Sequence, residues 1–199
     1  MIHPTQQQRK NLMKTLAAAL TLGLAVALTG CGNTAEKVDD STGSPDAGAS
    51  TSAKVTGGTE VQLPTASGVL KVALPAGDNP PGIEVVKTPF SVQETQVKTL
   101  KQGDGPVVAA DATVSVDYLG VNGRDGKSFD SSYERGSAAT FPLYGVVPGF
   151  AKAIAGQKVG SDVLVAMTPA DGYGPSGQPA AGIEGEDTLI FFIHINEVQ

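Results

Sequence analysis

Residues 113–130 read TVSVDYLGVNGRDGKSFD, and no other stretch constrains the fold as tightly. Val114, Val116 and Tyr118 alternate with Ser115, Asp117 and Leu119, the period of two that sends one row of a strand to a core and the other row to the opposite face. The run breaks at Asn122-Gly123-Arg124-Asp125-Gly126, where two glycines can adopt positive φ and the Asn and Asp can bond nearby backbone. It resumes as Lys127-Ser128-Phe129-Asp130. A hairpin is predicted, with Tyr118 near Phe129 and Asp130 on adjacent strands: an aromatic wall with one carboxylate at its edge, the floor of a pocket.

The signals that follow are regular. Val92 to Leu100 is strand-like and Gly103-Asp104-Gly105-Pro106 turns it. Val146 to Gly156 is the one predicted helix: Pro148 suits a first turn, Phe150 and Ile154 share a face, and Gly156 is a natural stop. Asp162 to Thr168 places Val163, Val165 and Met167 on one face. Thr188 to Val198 places Leu189, Phe191, Ile193 and Ile195 on one face, with Ile190, Phe192, His194 and Asn196 opposite. About five strands and one short helix predict an α+β domain with an antiparallel sheet. Ahead of it, Leu70, Val72 and Leu74 alternate in a short strand, Asn79-Pro80-Pro81-Gly82 breaks the run, and Ile83 to Val86 is a second candidate strand. Thirty residues cannot close a core of their own, so residues 60–90 are either strands added to the edge of the domain or an extended arm.

The chain has a formal net charge of −6 from 14 Lys and Arg against 20 Asp and Glu. Arg9, Lys10 and Lys14 are the only charges before Cys31, so without that segment 11 basic face 20 acidic residues, a net charge of −9. An acidic chain without a basic run argues against nucleic acid as a partner. Residues 1–30 have the order of a targeting segment: those basic residues, the apolar run Leu16 to Leu28, then small residues. The run is shorter than the roughly 20 residues of a membrane span. Leu28-Thr29-Gly30-Cys31 resembles the bacterial lipobox, which implies a lipid on the Cys31 thiol, cleavage before it, and attachment to the extracytoplasmic side of the cell membrane. Residues 31–59 are Ser, Thr, Gly, Ala and Asp with few large apolar residues, the composition of a flexible tether.

Several familiar chemistries are poorly served. Gly172-Tyr173-Gly174-Pro175-Ser176-Gly177 has the spacing of a dinucleotide loop, but Pro175 and Pro179 interrupt the helix that such a loop must open. Those glycines better suit a tight surface loop presenting Tyr173. The histidines are His3, in the targeting segment, and His194, on the polar face of a strand, so hydrolytic triads and zinc sites lack their parts. Asp39 with Asp40, and Glu184 with Glu186, read as solvated charge. No metal or other cofactor is expected.

An aromatic and aliphatic set remains: Tyr118, Phe129, Asp130, Phe141, Val146, Val147, Phe150, Tyr173, Ile183 and Phe191. The order DYLG, GKSFDSS, VVPGFAKAI, VGSDVLVAMTPADGYG and TLIFFIHINEV resembles the FKBP-type peptidyl-prolyl cis-trans isomerases over residues 91–199. The resemblance implies a strongly bent antiparallel sheet of five or six strands wrapped on a short helix. It also implies a monomeric enzyme with a proline pocket. Asp130 and Tyr173 would be its catalytic residues, and Tyr118, Phe129, Val146, Val147, Phe150, Ile183 and Phe191 would bind substrate. Phe141 matches a structural aromatic, Phe150 stands where many members carry Trp, Ala139 where others have a wall aromatic, and Gln178 where some have His. The implied partners are proline-containing segments of exported proteins and, as for other members, a macrolide. The competing readings are a proline-segment binding module acting as a tethered chaperone, and a lipoprotein that captures a small ligand. Cis-trans exchange on a short X-Pro peptide separates them from the enzyme.

Overall fold

In the computed structural model, which describes residues 58–199, nine strands form two sheets. The first sheet comprises β1 (Thr59–Gln62), β2 (Val69–Ala73) and β3 (Gly82–Val85), antiparallel in that order. The second contains β4 (Gln96–Lys101), β5 (Thr113–Asn122), β6 (Ser128–Ser131), β7 (Ala139–Pro142), β8 (Asp162–Met167) and β9 (Leu189–Val198). Its order is β4-β8-β9-β5-β6, with β7 also paired to β5, and all its pairings are antiparallel. Two helices interrupt the strands: a single turn, α1 (Ser132–Arg135), and α2 (Pro148–Ile154). The expected antiparallel α+β architecture is therefore present.

The alternation in the sequence sorts side chains onto the two faces of the large sheet. Val114, Val116 and Tyr118 of β5, Val163, Val165 and Met167 of β8, and Leu189, Phe191, Ile193 and Ile195 of β9 share a core with Phe150, Ala153 and Ile154 of α2. The interleaved Val121, Leu164, Ala166, Ile190 and Phe192 turn to the other face and join a second core. This accounts for the uninterrupted apolar run Leu189 to Ile193, since a strand covered on both faces has no solvent row to keep polar. Gly149 brings α2 onto β8: a Cβ there would lie 2.7 Å from Met167 Cβ. The helix is shorter than predicted because Val146 and Val147 are extended, with ψ of 168° and 145°.

The second core decides the placement of residues 60–90. Val61, Leu63, Leu70, Val72, Ile83, Phe90 and Val92 pack against the back of the large sheet. The segment is neither an added edge nor an extended arm; it is a separate sheet laid against the domain. Its alternating residues need a covering face, and Ile190 and Phe192 need one too, so the two apolar surfaces bury each other. The targeting segment, Cys31, Asp39, Asp40 and nearly all of the predicted tether lie outside the described residues.

Candidate active site

The helix-covered face of β5, β6 and β9 holds a cluster of five aromatic rings. Phe150 of α2 sits at its centre, with Tyr118 at 5.9 Å, Phe141 at 5.8 Å and Phe191 at 5.3 Å between centroids, each edge to face. Phe129 meets Phe191 at 5.4 Å with the planes at 90°. Edge-to-face pairs at these separations add about 0.5–1.5 kcal/mol each beyond the area they bury. Gly120 makes the last contact possible: a Cβ on it would lie 2.8 Å from both Phe129 and Phe191 ring carbons. Tyr118, Phe150, Phe191 and Ile183 are 3–7% exposed, whereas Phe129, Phe141, Val146 and Val147 are only partly buried. The buried residues form a floor and the partly buried ones its rim.

Polar groups gather at one edge. The Tyr118 hydroxyl donates to Asp130 Oδ2 at 2.5 Å and accepts from Arg135 Nη2 at 2.8 Å, while Arg135 Nη1 closes the triangle on Asp130 Oδ1. The Arg135 guanidinium also lies 5.3 Å from the Tyr118 ring centroid. Burial, reinforced by the hydrogen bond to Asp130, pushes the Tyr118 phenol up to about 12. Tyr173 stands on the loop between β8 and β9 and is 39% exposed; its phenol is raised by burial and by the nearby Asp130 charge. Both tyrosines are therefore neutral donors at physiological pH.

The structure brings Tyr118, Phe129, Val146, Val147, Phe150, Ile183 and Phe191 into one cluster with Phe141, puts Asp130 at its edge, and sets Tyr173 on the loop beside it. Ala139 is partly buried against the same cluster, and Gln178 is exposed. Arg135 was not anticipated. Its signal was present: Ser131 and Glu134 have the spacing of a helix cap, and the Ser131 side chain does accept from Glu134 N–H, with Gly136 in the left-handed conformation behind. That turn carries Arg135 back over Tyr118. His194 lies elsewhere, its Nδ1 2.6 Å from Asp162 Oδ1 on the back of the sheet. The glycines at 174 and 177 take positive φ in a loop of tight turns, as the surface-loop reading required.

The site thus pairs a buried apolar cluster with neutral phenolic donors and one carboxylate at its edge. The model of the FKBP-type peptidyl-prolyl cis-trans isomerases matches residues 105–196. A probable FK506-binding protein of Corynebacterium glutamicum is 34% identical over 117 residues, 58% of this chain and 95% of that protein. The FK506-binding protein of Streptomyces anulatus is 37% identical over 97 residues, 48% of this chain and 78% of that one. Among solved structures, FkpA from Escherichia coli is similar with a TM-score of 0.50 at 33% identity, over 53% of this chain and 48% of that chain. This chain belongs to the FKBP-type peptidyl-prolyl cis-trans isomerase family.

Proposed function

We propose that the aromatic site isomerises X-Pro bonds in exported polypeptides, with the protein held by a lipid on Cys31 at the outer face of the cell membrane. The observation that carries the isomerase reading is the coupling of the ring cluster around Phe150 to the Tyr118–Asp130–Arg135 triangle. An X-Pro bond rotates over a barrier of about 18–20 kcal/mol because amide resonance is lost at the twisted geometry. The twisted amide is less charge-separated than the planar one, so an apolar enclosure favours it over the planar ground state. Phe150 forms the floor under the proline ring, with Tyr118, Phe129 and Phe191 as walls. The exposed Tyr173 hydroxyl donates to a substrate carbonyl and holds the peptide in a turn. Asp130 supplies polar complementarity at the rim, and Arg135 fixes its orientation. An acceleration of 10⁴ to 10⁶ requires about 5–8 kcal/mol, within reach of such contacts without a covalent step.

Exchange spectroscopy on a short X-Pro peptide tests the activity. The wild-type protein should accelerate exchange and Phe150→Ala should abolish most of the effect; binding without acceleration would make the protein a proline-segment module instead. The location rests on the lipobox alone, and Cys31→Ser should release the protein from the lipid-labelled fraction. Persistent fatty-acid labelling of that variant would refute the anchor. Macrolide binding is part of the same proposal, with Ala139 removing one aromatic wall from the ligand's surroundings.

A further inference from the structure

The loop that bears Tyr173 and Ile183 runs between β8 and β9 and is fastened at both ends by a carboxylate. At its start, Asp171 accepts two 2.8 Å hydrogen bonds from Lys152 of α2 and one of 2.5 Å from Thr95. At its end stands Asp187, a 5% exposed carboxylate that the isomerase chemistry does not use. Its Oδ2 accepts from Asn122 Nδ2 at 2.6 Å and from Glu184 N–H at 2.8 Å, and its Oδ1 accepts from Arg124 Nε at 3.0 Å. Arg124 reaches on, donating through Nη2 to the Gly182 carbonyl at 3.0 Å. Between Gly182 and Asp187 lie Ile183, 3% exposed in the aromatic cluster, then Glu184, Gly185 and Glu186. Ile183 is braced from its other side, exchanging backbone hydrogen bonds of 2.9 and 3.1 Å with Gln178.

We propose that Arg124 and Asp187 are positioning residues that hold Ile183 against the aromatic pocket; this rests on the reading of that pocket as the substrate site. The planar guanidinium suits the task because its fork can bond the Asp187 carboxylate and the Gly182 carbonyl together, whereas an ammonium acts as a point charge on a flexible stem. A buried carboxylate with three donors is also costly to leave short of one, so the arrangement resists partial opening. The turn that supplies Asn122 and Arg124 belongs to the same hairpin as Tyr118 and Phe129, so one polar cluster sets both walls of the pocket relative to each other.

Arg124→Lys tests the proposal with two readouts. The KM for an X-Pro peptide should rise about fivefold with kcat within about twofold, because a contact that binds ground and transition states alike is displaced. Simple loss of folded protein would lower kcat and leave KM alone. In an Ile183→Ala background the same substitution should leave KM where Ile183→Ala has put it, since the group being positioned is gone. Independently of turnover, amide exchange at Ile183 and Glu184 should speed up about tenfold or more while Val165 and Ile193 in the sheet keep their protection. Asp187→Asn, which retains one acceptor oxygen, should move both readouts in the same direction. Unchanged exchange at Ile183 and Glu184 overturns the proposal whether or not the protein accelerates isomerisation, and so does a KM effect of Arg124→Lys that survives in full in the Ile183→Ala background. Failure of the wild-type protein to accelerate exchange of the peptide would strike the isomerase reading alone.

Discussion

Tyr118 does two things at once: its ring packs on Phe150, Phe141 and Phe191, and its hydroxyl joins Asp130 to Arg135. Tyr118→Phe keeps the ring and removes the joint, so kcat/KM should fall about tenfold with little change in stability, as steady-state exchange kinetics and a urea midpoint together would reveal. Phe150→Ala is a different kind of change. The ring is 4% exposed, so truncation opens a cavity costing about 3–5 kcal/mol, and the denaturation midpoint should fall along with activity. Gly120→Ala is expected to reduce activity more than its single methyl suggests, because that methyl would drive Phe129 and Phe191 apart. A wild-type value of kcat/KM in that variant would show that the contact between the two rings is dispensable.

At the level of elements, β5 was legible from its alternation, β8 and β9 from short apolar runs rich in β-branched and aromatic residues, and α2 from its proline, its apolar spacing and its terminal glycine. The large sheet's back face was harder to read. Alternation in Val61 to Ile83 reveals that some surface must cover those residues, but pairing at an edge and packing face to face leave the same local pattern. The site shows the same division. Its apolar members stood out as a set, whereas Arg135, Arg124 and Asp187 did not, because a charged residue in turn-rich sequence looks solvated until the fold brings its partners to it, and of the three only Asp187 is buried. Glu184 and Glu186 do remain exposed, while their neighbour Asp187 is buried. The accessory sheet also allows a test of packing apart from catalysis. Leu70 is fully buried between the sheets, so Leu70→Ala should cost about 2–5 kcal/mol in chemical denaturation while kcat/KM per folded molecule stays within about twofold.

For the whole molecule, charge and titration set the working range. Burial works against the ionised Asp187, but hydrogen bonds from Asn122, Glu184 N–H and Arg124 together outweigh it and hold the carboxyl below its usual range. Asp171 is lowered by its hydrogen bonds from Lys152 and Thr95. A carboxylate with a lower pKa in the folded state binds fewer protons there than in the unfolded chain. It therefore stabilises the fold above the unfolded value of about 4, and that contribution disappears as pH falls through the folded value. Thermal stability should be nearly level from about pH 5 to 8 and drop below about pH 4, with a shallower acid slope in Asp187→Asn. The two site tyrosines carry the opposite sign. Their folded pKa values are raised, so the stability they contribute is complete below about pH 10 and is lost as pH climbs beyond it, towards about 12 for Tyr118. Between those limits the pocket has no group that must gain or lose a proton for an apolar enclosure to work. The most direct test is kcat/KM for X-Pro exchange, measured by NMR from about pH 6 to 9 in H₂O and in D₂O. An apolar enclosure should give acceleration well above the spontaneous rate, a flat profile and a solvent isotope effect near unity; no acceleration, or a bell centred near pH 7 with a large isotope effect, would overturn the isomerase mechanism.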